Sequence, residues 1–203
     1  MPTSRLEAFS DGVFAIAITI LIFDIKAPTN TQHLLPALIA LWPSYLAYVI
    51  SFLLIGLLWA NHHVMFEHIT RADRLLMFFN TLLLLVVAFV PFATSVLAAT
   101  LRNGAGENVA VALYGATRIV AGLLFIAIWS HANRGGLIDA GVTTPAIRRM
   151  TRHILFGPAT YAIGAVIGYF LPIVGVVIYA LLILFYWLPI PQRKRVGQKV
   201  GSR

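Results

Sequence analysis

The stretch ILFGPATYAIGAVIGYFLPIVGVVIYALLILFYWLPIPQ, Ile154 to Gln192, contains no Asp, Glu, Lys or Arg. Wound as one α-helix, its roughly 39 residues would extend about 58 Å, nearly twice the roughly 30 Å of a bilayer's hydrocarbon layer. One crossing cannot hold it. Leu171-Pro172 supplies the break, because proline lacks a backbone donor and disfavours helix in the residue before it. Two spans result, over residues 153–170 and 173–189.

Upstream, the same reading places helices at about residues 6–26, 38–62, 75–100 and 108–132. The expected fold class is therefore all-α, a polytopic membrane protein with six transmembrane helices. Composition agrees: 60% of the 203 residues are hydrophobic and 11% are charged, where a soluble domain carries about 25% charged residues. This excludes a soluble globule and a disordered chain. Cysteine is absent, which removes disulfide scaffolds, thiolate chemistry and Cys-ligated zinc. Residues 1–191 read as one membrane domain and 192–203 as a basic tail. The longest connection, Arg134 to Thr151, leaves no room for a soluble domain between helices.

The first helix differs from the rest. Val13 to Phe23 is apolar apart from Thr19, and Asp11 and Asp24 close it off. Such a run is short for a lipid-exposed span but adequate for a helix shielded by protein or lining a hydrated path. It has neither the basic n-region nor the cleavage site of a signal peptide.

Lys and Arg set the orientation. Twelve of the fifteen lie in segments on the N-terminal side of the membrane; only Lys26 and Arg102 lie opposite, and Arg118 lies within a span. The positive-inside rule then puts both termini in the cytoplasm of a plasma-membrane protein. The net charge of +8 belongs to this asymmetry. The tail reads as a topology anchor facing anionic lipid. It does not read as a nucleic-acid site, since no aromatic residues interleave its charges.

At about 100° per residue, Phe9, Gly12, Ile16, Thr19, Ile20 and Phe23 share one broad stripe of the first helix. Asp11 lies about 140° from Ile16 and points away. A buried carboxylate needs donors, so Ser10 and Asp11 are expected to bond neighbouring helices. Arg5, Trp59, His62 and His63 are the candidate partners, and a solvated Asp11 is the plainer reading. Asn80 and Ser95 read as interhelical hydrogen-bonding residues. Gly164 and Gly168 form a G-x-x-x-G pair for close packing. His63, Glu67 and His68 offer possible zinc ligands, but no H-E-x-x-H is present and hydrogen bonding is the expected role. Arg118 is expected to be neutralised by a helix end or by Asp24, with anion handling or gating as the other reading.

The run Arg5-Leu6-Glu7-Ala8-Phe9-Ser10-Asp11 followed by an apolar helix resembles the signature of the transmembrane protein 175 family. These are the endosomal and lysosomal potassium channel and its single-repeat prokaryotic relatives. Trp59-Ala60-Asn61-His62-His63 also resembles that family, and the likeness covers the whole six-helix layout. The resemblance implies a homotetramer in which four copies of the first helix surround a central pore for potassium and other monovalent cations. It implies no cofactor and no structural metal, only permeant potassium. It also implies a channel without the familiar potassium filter. Val166-Ile167-Gly168-Tyr169-Phe170 superficially resembles T-V-G-Y-G but lacks its Thr and second Gly.

Carried over by position, Ile16 corresponds to the family's hydrophobic constriction and Thr19 to the hydroxyl one turn outward. Ile20 and Phe23 would continue the narrow lining. Phe23 is bulkier than the aliphatic residue that pattern places there. Asp24 would stand at the outer mouth, drawing cations or simply pairing with Lys26. The expected function is thus a modestly potassium-selective channel. An ion- or proton-coupled secondary transporter is the alternative, although the internal repeats and broken helices of that class are not evident. No nucleophile or metal set supports an enzyme.

Overall fold

The computed structural model describes residues 3–29 and 32–187. The tail at 192–203 and the end of the sixth expected span lie outside the described residues. Among the described residues seven α-helices follow one another: α1 (Ser4–Ile20), α2 (Leu34–Ala40), α3 (Trp42–Phe66), α4 (Arg74–Asn103), α5 (Glu107–Arg134), α6 (Thr144–Phe170) and α7 (Pro172–Trp187). A 3₁₀ turn, Leu21–Asp24, prolongs α1. The chain is an all-α, multi-pass membrane protein.

Local chemistry sets the boundaries. Asp73 caps α4, its carboxylate accepting from the Leu76 N–H at 2.8 Å. Gly104, at φ 68°, takes the left-handed conformation that ends the same helix. Pro172 opens α7 at a position that needs no donor, after Leu171 has left helical geometry. One helix appears that hydropathy did not separate. Pro43 has no N–H to offer the Ile39 carbonyl, so the apolar run from residue 34 breaks at Leu41 and the short α2 stands apart from α3.

Among the described residues five helices are long and apolar enough to cross a membrane, counting α1 with its 3₁₀ extension. Helix α7 is apolar too, with 16 described residues. Helices α3, α4 and α5 form the enclosed centre, with α1 on α3 and α4 and with α6 and α7 on α5. Leu54, Leu58, Leu76, Leu83, Val87 and Val90 fill the middle. Thr94 donates to Ser51 at 2.7 Å, and Ser51 lies 3.0 Å from the Tyr114 hydroxyl, so these buried hydroxyls satisfy one another. The Gly164/Gly168 pair makes the close approach its spacing predicts. A Cβ on Gly164 would stand 2.9 Å from Tyr179, and one on Gly168 would meet Val111 and the Gly175 backbone.

At the end of the bundle richest in Lys and Arg, Thr70 N–H bonds the Leu137 carbonyl and Asp139 N–H the His68 carbonyl, both at 2.9 Å. His131 on α5 donates to the Asp73 carboxylate at 2.8 Å. The Leu76 N–H, and after it His131, hold the Asp73 carboxyl below its ordinary range. A lowered folded value stabilises the protein above the unfolded carboxylate pKa and is lost as pH falls through the folded one. Asp73→Ala should therefore cost about 1 kcal/mol of stability at neutral pH. In detergent unfolding measurements, that deficit should shrink as pH drops below about 3.9.

Candidate functional site

Helix α1 has two unlike faces. Ser10, Phe14, Ala17 and Leu21 are buried, at the four-three-four spacing of a stripe packed on α3 and α4. The opposite stripe carries Arg5, Phe9, Gly12, Ile16, Thr19, Ile20 and Phe23, all exposed. Ile16 is 63% and Phe23 71% accessible. A Cβ on Gly12 would touch nothing within 4 Å. Of the most apolar window of this segment 22% is buried in the subunit, against 50% for α3, α4 and α5 and 17% for the peripheral α6.

The exposed stripe is refined by backbone detail. Thr19 Oγ1 donates back to the Ala15 and Ile16 carbonyls, both at 2.9 Å. Its proton is thus spent on its own helix and its lone pairs remain for an outside partner. The 3₁₀ geometry of Leu21–Asp24 eclipses side chains three apart, which brings Phe23 into line over Ile20.

The buried stripe is held by one polar junction. Asn80 of α4 donates to Ser10 Oγ at 3.0 Å and accepts from His62 Nε2 of α3 at 2.9 Å. Ser10 in turn donates to the Leu6 carbonyl at 2.8 Å. Ser10 and Asn80 are fully buried and His62 is 1% exposed. The His62 ring lies between Phe14, at 5.5 Å, and Phe66, at 4.2 Å. Beside this junction, and more exposed, Trp59 Nε1 donates to Asp11 at 2.8 Å and the indole stacks on His63. His63 reaches Glu67 at 3.5 Å, while His68 bonds the Val64 carbonyl. Among the described residues no three His, Asp or Glu converge to hold a metal ion.

Ser10, Asp11, Trp59, His62 and His63 therefore gather at one end of α1. Phe9 stands on the bare stripe instead, and Arg5 is exposed without an ion pair among the described residues. Asp24 is half-buried beyond Phe23 and makes no salt bridge with Lys26. The expected neutralisation of Arg118 by Asp24 or a helix end is not found. Its guanidinium lies 4.4 Å over the Tyr161 ring, because its position on α5 faces α6 rather than α1. Asn80 is the residue whose importance sequence reasoning understated. Its signal was an amide six positions after Arg74, within a run from Leu75 to Ala93 that is otherwise apolar apart from Thr81.

Residues 5–91 match the family described as endosomal/lysosomal potassium channel TMEM175. A potassium channel of Streptomyces collinus is 43% identical over 198 residues, covering 95% of this chain and 96% of its own. The chain belongs to the TMEM175 family. A Chamaesiphon minutus potassium channel is 38% identical, covering 82% of this chain and 84% of the relative. The crystal structure of a lysosomal potassium-selective channel TMEM175 homologue from the same organism superposes with TM-score 0.81 at 35% identity. That match spans 91% of this chain and 95% of the other. The zebrafish endosomal/lysosomal proton channel TMEM175 is 41% identical over 138 residues, 63% of this chain and 26% of the relative. TMEM175 is a family of ion channels, not enzymes. Its matched segment contains both the bare stripe of α1 and the Ser10–Asn80–His62 junction.

Removing Asn80 strands two buried polar groups, whereas removing the Trp59 donor leaves Asp11 in contact with solvent. Asn80→Ala should cost roughly 2–4 kcal/mol and Trp59→Phe about 1 kcal/mol. Unfolding midpoints of the two purified variants check the order; equal losses would refute the assigned hierarchy.

Proposed function

We propose that this chain is the subunit of a homotetrameric potassium channel of the plasma membrane, with cytoplasmic termini and a pore lined by four copies of α1. The observation that carries the reading is the bare stripe from Phe9 to Phe23 on a helix whose other face is anchored by buried polar bonds. Relatives at 43% and 38% identity are named potassium channels, and the 12-to-2 asymmetry of Lys and Arg supports the orientation. A ring of subunits is the simple closed way to enclose an axis with identical faces.

Four Ile16 side chains around an axis offer no ligand atoms. Such a ring conducts only when wide enough to keep the ion wetted, and it closes by dewetting when narrower. Potassium holds its water less tightly than sodium, so partial dehydration in the ring penalises sodium more. Thr19, one turn outward, presents oxygen lone pairs to the ion as it leaves the constriction. Ile20 and the eclipsed Phe23 extend the apolar passage. Asp24 lowers the potential at the outer mouth, partly offset by Lys26. The selectivity is modest beside that of a carbonyl filter, and potassium is the transported ion rather than a resident cofactor.

The vertebrate relatives named proton channels make proton flux the second quantity to measure. In liposomes with a potassium gradient, the protein should pass potassium without a coupled counter-ion, while a pH dye reports any proton component. Ile16→Asn should lower the potassium-over-sodium permeability ratio several-fold. An unchanged ratio would remove Ile16 from the selectivity step, and obligatory coupling would replace the channel with a transporter.

A further inference from the structure

Arg118 is a cation deep inside the bundle. It lies 7% exposed on α5, about 16 residues or roughly 24 Å from Arg134 at the basic end. The ring of Tyr161 beneath it supplies a favourable face but no lone pair along the N–H directions. Nε and Nη1 have no hydrogen-bond partner among the described residues. A buried charge left in that condition is costly, and a structural arginine normally finds a carboxylate or carbonyl.

The same side chain lines a cavity of about 1060 Å³ between α3, α5, α6 and α7. Toward the basic end of the bundle the cavity is bordered by His68, Arg149 and His153. Leu57, Phe125, Ile154, Pro158 and Trp187 give it apolar walls. None of the chain's seven acidic side chains lines it. Apart from the Tyr186 phenol, its ionisable lining is therefore of the type that carries positive charge, with one fixed cation at the inner end and another, the exposed Arg149, at the rim. Guanidinium groups and phosphate oxygens match in hydrogen-bond geometry as well as in charge.

We propose that this cavity is a binding site for a phosphate-type oxyanion, with Arg118 as its inner ligand and Arg149, about 12 residues or roughly 18 Å along α6 from Tyr161, as the charge that draws the anion in at the rim. The phosphate belongs either to an acidic phospholipid, whose glycerol and chains suit the apolar walls, or to free phosphate from the aqueous face. The site lies on α5 and α6, away from the α1 stripe, so it stands or falls independently of the pore assignment.

The test uses the full chain purified in neutral detergent with phosphatidylcholine. Unfolding temperature is recorded against inorganic phosphate, with chloride holding ionic strength constant, and separately against added phosphatidylglycerol. The wild type should show a saturable rise with at least one probe. Arg118→Gln should abolish the rise, and Arg149→Gln should weaken half-saturation about threefold, more at low ionic strength. A response to phosphatidylglycerol alone identifies the lipid as the source, and a response to phosphate alone identifies the free anion. Should Arg118→Gln not fold, the Arg149→Gln titration decides. No saturable rise in the wild type overturns the site, as does a rise that Arg149→Gln leaves unchanged.

Discussion

A helix anchored on one side and bare on the other is the constraint from which the rest of this molecule follows. The anchoring is not chiefly hydrophobic in its specificity. Phe14, Ala17 and Leu21 could pack in several registers, since small shifts of a greasy stripe cost little in an apolar surround. Asn80 permits one arrangement only, because its amide must reach Ser10 on α1 and His62 on α3 together. A slip of one residue would leave buried polar groups without partners. The amide thus fixes the rotation of α1 about its own axis, and that rotation decides which side chains remain uncovered.

This division of labour explains the arrangement of polar residues in the matched segment. The buried polar groups around α1, namely Ser10, Asn80 and His62, lie between helices and are joined through Asn80. The more exposed pair, Asp11 and Trp59, sits beside them and ties α1 to α3 where solvent can relieve either group. On the uncovered stripe the backbone carries few demands of its own, since Thr19 bonds its own helix and Gly12 adds no bulk. Identical stripes from several subunits can then meet around an axis without disturbing the packing that holds each helix. Under the proposed assignment, rigidity comes from within the protomer and the aperture from the symmetry between protomers.

Much of this was legible from residues alone, for identifiable reasons. Leu171-Pro172 announced the turn between α6 and α7 because proline acts locally through its missing N–H. Gly164 and Gly168 announced close packing because only an absent Cβ admits Tyr179 and Val111 so near. The stripe on α1 followed from helical periodicity. The less legible features depend on what lies across from a residue rather than along the chain. Hydropathy averages over Leu41, so the expected helix at 38–62 ran the end of α2 into α3. It has no term for the eclipsing of Ile20 and Phe23 in a 3₁₀ turn. Nor could it show what faces Arg118, because the Tyr161 ring lies across from it on α6 and not along the chain.

Arg118 and Asn80 pose the same problem in two ways. Each is polar and buried in a span, yet Asn80 has its bonds completed by its neighbours while Arg118 has a ring and unpaired N–H groups. A neutral amide can be fully satisfied by a hydroxyl and an imidazole, and the result is rigid. A guanidinium retains a net charge whatever ring it lies on, so burying it without an anion wastes interaction energy that packing does not recover. The two residues also lie on different helix layers, Asn80 facing α1 and Arg118 facing α6. The layer that bears the candidate pore is thereby closed to outside polar ligands at its inner face. The layer behind it keeps a cationic cavity to which such a ligand can come and go without touching the stripe.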